Sequence, residues 1–244
     1  MMSGNFRAVV TATAAAGIGV TTFTPRSLFE ITVAAIAVVV ALGWAPLLPR
    51  MGRRLPITII LVVVALVAAF LVRLTHAVAW LAPIVASALI AIFLAQLFRR
   101  ERTGLVDQVA GHLTGAVIVA SGAGWLAVDP GEIGSALTLT ASVCLATPAI
   151  VTALPINPRL AVWISIIAAT GVGVGMGYGL AEITLLTGVL IGLAAGLIVA
   201  AVHYLFGEYS DSDAALPSLA GALIAVAVSG VPVYILGRVL LHMP

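Results

Sequence analysis

The chain predicts an all-α, polytopic integral membrane protein, and three observations carry that prediction. Only 8% of its 244 residues are charged, against 62% hydrophobic. Mean hydropathy is +1.24. All eleven basic residues are arginine, with no lysine. A soluble domain carries roughly a quarter charged residues to solvate its surface. This chain has too few for such a surface, so its solvent is the bilayer.

A helix needs about 20 mostly apolar residues to cross roughly 30 Å of hydrocarbon. The candidate spans are Leu28–Leu48, Pro56–Val72, Ala77–Phe98, Val109–Val128, Ser135–Leu154, Leu160–Leu180, Ile183–Phe206 and Ser218–Leu241. Ala8–Thr24, rich in Ala and Thr, is a weaker ninth. That opening stretch also fits a signal peptide, with Arg7 as its basic region and Val9–Val20 as its apolar core. The prediction is therefore a bundle of eight or nine transmembrane helices with short loops and no soluble domain.

Basic loops stay in the cytoplasm. Arg50, Arg53 and Arg54 form one such loop. Arg99, Arg100 and Arg102 form another, two spans later. Both belong inside, which puts Asp129-Pro130-Gly131-Glu132 outside and Pro155–Arg159 inside. With Ala8–Thr24 counted as a span, the N-terminus lies inside. The expected location is the cell membrane.

Charge and glycine divide the chain into two regions. Residues 1–130 form a basic transmembrane half and residues 131–244 a glycine-rich one. Nine arginines and three acids precede residue 129, a formal +6, and the rest carries −4. No internal repeat is apparent, so an inverted-repeat transporter has no direct support. The pI near 9.1 comes from arginines at membrane boundaries, which gives no reason to expect nucleic acid. Cys144, the single cysteine, excludes an intrachain disulfide and reads as a small buried apolar residue.

Packing signals are clearest in the second half. Gly188, Gly192 and Gly196 share one helix face at four-residue spacing. In the preceding span Gly171, Gly175 and Gly179 share a face, with Gly173 and Gly177 beside it. Small faces let helices approach closely, and van der Waals packing drives their association in lipid. The very short turn near Ala181-Glu182 predicts an antiparallel hairpin packed glycine to glycine.

Polar residues are few. Asp107 is a candidate helix N-cap. Gln108 and His112 share a face four residues apart. With Arg99, Arg100 and Arg102 nearby, Asp107 and His112 form a candidate contact for an anionic lipid headgroup. Glu30 lies near the outer end of its span, within reach of the interface. Trp44, Trp80, Trp125, His203 and Tyr204 read as interfacial residues. Arg238 is expected to snorkel or to pair within the bundle, and Pro232 to kink the last helix. Glu208, Asp211 and Asp213 lack the glycine and terminal glutamate of a calcium loop.

One resemblance emerges in the first half. An Ala/Gly-rich opening helix leads to a break at Phe23-Thr24-Pro25-Arg26. A long Ala/Val helix ends in arginines, and a hairpin follows. The stretch Leu97-Phe98-Arg99-Arg100-Glu101-Arg102-Thr103-Gly104-Leu105-Val106-Asp107-Gln108-Val109-Ala110 closes the region. This resembles the N-terminal half of actinobacterial phosphatidate cytidylyltransferases, the CDP-diacylglycerol synthases. The family's catalytic half carries a Ser-Asp-Thr motif and a Lys, Arg, Asp and Gly-Gly signature, which the resemblance would require here. Neither is present. Residues 141–206 contain one acid, Glu182, and one base, Arg159. Phosphoryl-type transfer needs carboxylates for Mg²⁺ and positive charge for the phosphates.

The expectation is therefore a non-catalytic multi-pass protein, an accessory or structural subunit of a larger membrane complex, without metal or nucleotide cofactor. Its partners would be membrane lipids and other membrane subunits. The alternatives are a lipid-nucleotide transferase, tested by CTP-dependent turnover of phosphatidic acid, and a small-molecule or lipid permease, tested by uptake into proteoliposomes.

Overall fold

The computed structural model describes residues 4–48, 54–98, 104–206 and 215–241. All regular elements among them are helical. They are α1 (Gly4–Thr21), α2 (Arg26–Leu47), α3 (Arg54–Thr75), α4 (Leu81–Leu97), α5 (Leu105–Gly122), the single-turn α6 (Gly124–Ala127), α7 (Glu132–Val151), α8 (Pro158–Gly179), α9 (Leu185–Phe206), α10 (Ala215–Val228) and α11 (Gly230–Leu240). A 3₁₀ turn at Val78–Trp80 precedes α4. Eight stretches are long and apolar enough to cross a membrane, with α5–α6 and α10–α11 each counting as one; α1 is a shorter apolar helix. The chain is a multi-pass transmembrane bundle.

The two halves interleave. α1 packs along α7 and α10, and α10 packs along α2. Ala15 and Ile18 of α1 are buried in the common core. α5, α7 and α10–α11 are the most enclosed spans, while α4 and α8 are the most open.

Glycines and alanines set how close the helices come. At Gly43 of α2 a Cβ would lie 2.7 Å from the Leu216 carbonyl oxygen of α10. Any larger residue would push the two helices apart.

The two most enclosed tryptophans depart from the interfacial expectation. Trp44 and Trp125 are each 1% exposed. Trp44 wedges against Gly115 of α5, where a Cβ would lie 2.6 Å from Cδ1. Its indole N–H donates to the Gly111 carbonyl at 3.2 Å. Trp125 of α6 donates to the Val226 carbonyl of α10 at 2.9 Å. An indole prefers a membrane interface because one end is apolar and the other wet. Here glycines make room for the rings, and neighbouring carbonyls accept the N–H groups, so burial wins. Trp80 is exposed, as are Trp163 and Tyr178 near opposite ends of α8.

Pro232 breaks the last span as its chemistry demands. A proline has no N–H, so it cannot donate to the carbonyl four residues back, that of Val228. α10 ends at Val228 and α11 begins at Gly230. The Ser121 hydroxyl of α5 donates to the Val228 carbonyl at 2.8 Å, replacing the missing donor. Ser121→Ala should therefore cost about 1 kcal/mol, the lower end of the penalty for an unmet acceptor, since this one is part-buried. The loss should shrink in a Pro232→Ala background, where an N–H is restored. Equal losses in both backgrounds, read by thermal unfolding in detergent, would sink this account.

Candidate functional site

Two polar groupings stand at opposite ends of the bundle, and a glycine seam lies apart from both.

The first place is the region singled out in the sequence around the start of α5. Arg99, Arg100 and Arg102 lie outside the described residues. Gly104 is the N-cap residue, with φ +66°, a left-handed conformation that glycine adopts without a Cβ penalty. Asp107 is therefore not the cap. It sits in the first turn of α5, where a carboxylate still meets the positive helix end. Asp107 is exposed, but His112 is 1% exposed and cannot reach a headgroup at the surface. Five residues of helix rotate them about 140° apart, onto different faces. Gln108 does share the buried face with His112, and Gln96 of α4 is buried as well. Each of these three residues takes part in an interaction. Glu208, Asp211 and Asp213 also lie outside the described residues.

The hairpin α8–α9 forms as its short turn predicts, and α9 meets α8 through the expected Gly188, Gly192 and Gly196, but α8 presents a different glycine face. Gly171, Gly175 and Gly179 have open space where a side chain would stand. The seam is made instead by Gly173 and Gly177 of α8 against Gly188 and Gly192 of α9. A Cβ at Gly173 or Gly188 would overlap the carbonyl oxygen of the other. Further along, a Cβ at Gly192 would lie 2.8 Å from Thr170 Cα, and one at Gly196 2.7 Å from Ile166 Cα. The reason is rotational. Ile166, Ala169, Gly173 and Gly177 lie three to four residues apart and form one stripe. Gly171, Gly175 and Gly179 form a second stripe, turned toward the outside.

The second polar place is at the opposite end. Glu30, in the second turn of α2, accepts from Arg73 near the end of α3 at 2.9 Å. Arg26, one turn before Glu30, approaches it at 3.6 Å. Arg26 also donates to the Leu126 carbonyl at 2.9 Å and lies 5.0 Å from the Phe29 ring centroid. One guanidinium thus links α2 to the single-turn α6, and through Glu30 to α3. Glu30 was visible in the sequence as a carboxylate near a helix end. Its partner Arg73 was not, because 43 residues separate them. The signal that could have found it is the antiparallel α2–α3 hairpin, which brings the start of one helix beside the end of the next.

At the end of α11, Arg238 donates to the Tyr234 hydroxyl and lies 5.9 Å from its ring centroid, so of the two expected outcomes, snorkelling or pairing, it pairs. His203 and Tyr204 are exposed at the end of α9. Cys144 is buried and free. Among the described residues no group of three or more His, Cys, Asp or Glu is placed to hold a metal ion.

The chain was compared with protein-family models, with curated proteins and with solved structures, and none of them matches.

Proposed function

We propose that this protein is an accessory, non-catalytic subunit of a larger assembly in the cell membrane, docked through the outer glycine stripe of α8. One observation carries this reading. Among the described residues, nothing lies within 4 Å of where a Cβ would stand on Gly171, Gly175 or Gly179. A glycine inside a helix is about 1 kcal/mol less favourable than alanine. The seam glycines Gly173, Gly177, Gly188 and Gly192 are explained by backbone contact across the hairpin. The outer stripe becomes explicable if another transmembrane helix packs there as closely as α9 packs on the inner side. α8 is also among the least enclosed spans. Its outer face carries Leu160, Ile164 and Ile167, all exposed.

The polar inventory supports the same reading. Trp44, Trp125, Ser121, Arg26 and Glu30 are spent on contacts between helices.

A Gly175→Leu variant tests the proposal. It places a side chain into open space, so the isolated protein should keep its thermal midpoint. Its stoichiometric co-purification with a transmembrane partner, or with a second copy, should be lost from mild-detergent extracts. If the variant retains the wild-type complement of subunits, the stripe is not the docking face. CTP-dependent turnover of phosphatidic acid by the purified chain would replace the subunit reading with the transferase one.

A further inference from the structure

The ion pair between α2 and α3 stands at the head of a groove. The outer halves of these helices flank α6, whose Leu126 lies at the floor of the groove. The open-sided space along it is about 680 Å³. That volume is within the roughly 300–1,000 Å³ range of sites that bury a drug-sized molecule. Ile31 and Ala34 line it from α2, and Val67 and Phe70 from α3. Ile31, Val67 and Phe70 are exposed, so the groove opens sideways into the hydrocarbon.

Its polarity runs in one direction. Glu30, Arg73 and Ser27 line the end nearest the helix termini, and the walls toward the middle of the bundle are apolar. Arg73 is two residues from the end of α3, and Glu30 four residues from the start of α2. That is headgroup depth, with acyl-chain depth directly below it. The groove thus has the polarity of one lipid in its own leaflet.

The charges select among lipids. Glu30 is the carboxylate of the groove lining, and it is shared by two guanidinium groups. Arg26 is turned to the α6 carbonyls, and Asp129 acts on it electrostatically from the following loop, away from the groove lining. Arg73 remains 58% exposed while holding Glu30. A guanidinium carries five N–H donors, and one carboxylate shared with a second arginine does not use them all. An exposed arginine at headgroup depth is suited to a phosphate, which it meets in planar, paired hydrogen bonds. A cationic headgroup is disfavoured here, because the charge of Glu30 is already offset by two guanidinium groups.

We propose that the α2–α3 groove is a binding site for one acidic glycerophospholipid, its phosphodiester on Arg73 and its acyl chains along Ala34, Val67 and Phe70. By the positive-inside pattern, this end of the bundle faces away from the arginine-rich loops, so the lipid comes from the outer leaflet. The groove is remote from the α8 stripe in sequence, so the site and the docking face can fail independently.

The test is native mass spectrometry of the purified full chain released from nanodiscs containing equal parts of dioleoylphosphatidylglycerol and dioleoylphosphatidylcholine. Wild type should retain one phosphatidylglycerol under activation that strips phosphatidylcholine. Arg73→Gln should weaken that retention about tenfold, the scale of one lost charge-assisted hydrogen bond. Arg73→Lys should keep most of it. Ala34→Trp fills the groove from its wall and should abolish retention while leaving the thermal midpoint in place. Equal retention of the two lipids by wild type would overturn the proposal. So would phosphatidylglycerol retention that survives Ala34→Trp, which decides the matter even if the Arg73 variants fold poorly. A dimer that dissociates on Ala34→Trp, without any retained lipid, would assign the groove to a second copy instead.

Discussion

Gly192→Leu should be among the most damaging single changes in the second half of the chain. At this position a Cβ would overlap the Ala169 carbonyl oxygen and sit 2.8 Å from Thr170 Cα. Both neighbours are helix backbone, which cannot rotate out of the way as a side chain can. The hairpin would have to separate, and with it the contacts at Gly173, Gly188 and Gly196 along the same seam. Overpacking a well-formed interior costs about 1–3 kcal/mol when side chains can adjust. The upper end of that range or beyond is expected here. Thermal unfolding in detergent should show a large fall for Gly192→Leu and a negligible one for Gly171→Leu, although the two glycines look alike in sequence. Equal falls would mean that the seam does not run where the structure places it.

Trp125→Ala should come next. The ring is 1% exposed and lies where α6 meets the break between α10 and α11. A Cβ on Gly230 would lie 3.0 Å from its Cδ1. Removing a buried tryptophan costs about 3–5 kcal/mol, including the cavity left behind. Here the Val226 carbonyl also loses its indole donor, though the Ser229 hydroxyl, at 2.8 Å, still reaches it. Trp125→Phe separates the two contributions, since it keeps most of the volume and removes the N–H. It should recover most of the lost stability. If Phe is as damaging as Ala, the hydrogen bond holds this junction and packing is the lesser of the two effects.

Both predictions depend on helix rotation, and rotation separates what was legible in the sequence from what was not. Hydropathy located the spans because the hydrocarbon imposes one requirement, an apolar run of fixed length, on each of them. Leu160–Leu180 and Ile183–Phe206 match α8 and α9 within two residues at each end. The short turn between them also predicted their hairpin, because a few residues leave no other antiparallel neighbour within reach. Hydropathy could not say which side of α8 faces α9. In a soluble helix, polar residues mark the outside. In a membrane helix the lipid-facing side is as apolar as the buried one, so the stripe of Gly171, Gly175 and Gly179 and the stripe through Gly173 and Gly177 carry nearly the same signal.

The polar residues show the same division. Asp107 and His112 are close in sequence, and helical rotation puts them on different faces. Glu30 and Arg73 are far apart in sequence, and chain reversal puts them 2.9 Å apart. Trp44 and Trp125 have the composition of interfacial anchors, but glycines on neighbouring helices admit them to the core. Each outcome depends on a contact between helices, and the residues that decide it, Gly115, Gly230 and Leu126, are themselves inconspicuous.

By itself, then, the sequence determined the solvent, the helical class, the position of eight spans and a kink at Pro232, while it left the opening stretch between a ninth span and a signal peptide. These follow from the cost of leaving backbone groups unpaired in hydrocarbon and from the missing N–H of one residue. Tertiary structure decided which glycines touch, where the tryptophans go, which arginine meets Glu30, and that a groove opens beside that pair. Those are matters of rotation and long-range pairing. In a chain apolar on every side, they are settled by the shapes of helices meeting one another rather than by the pattern along any one of them.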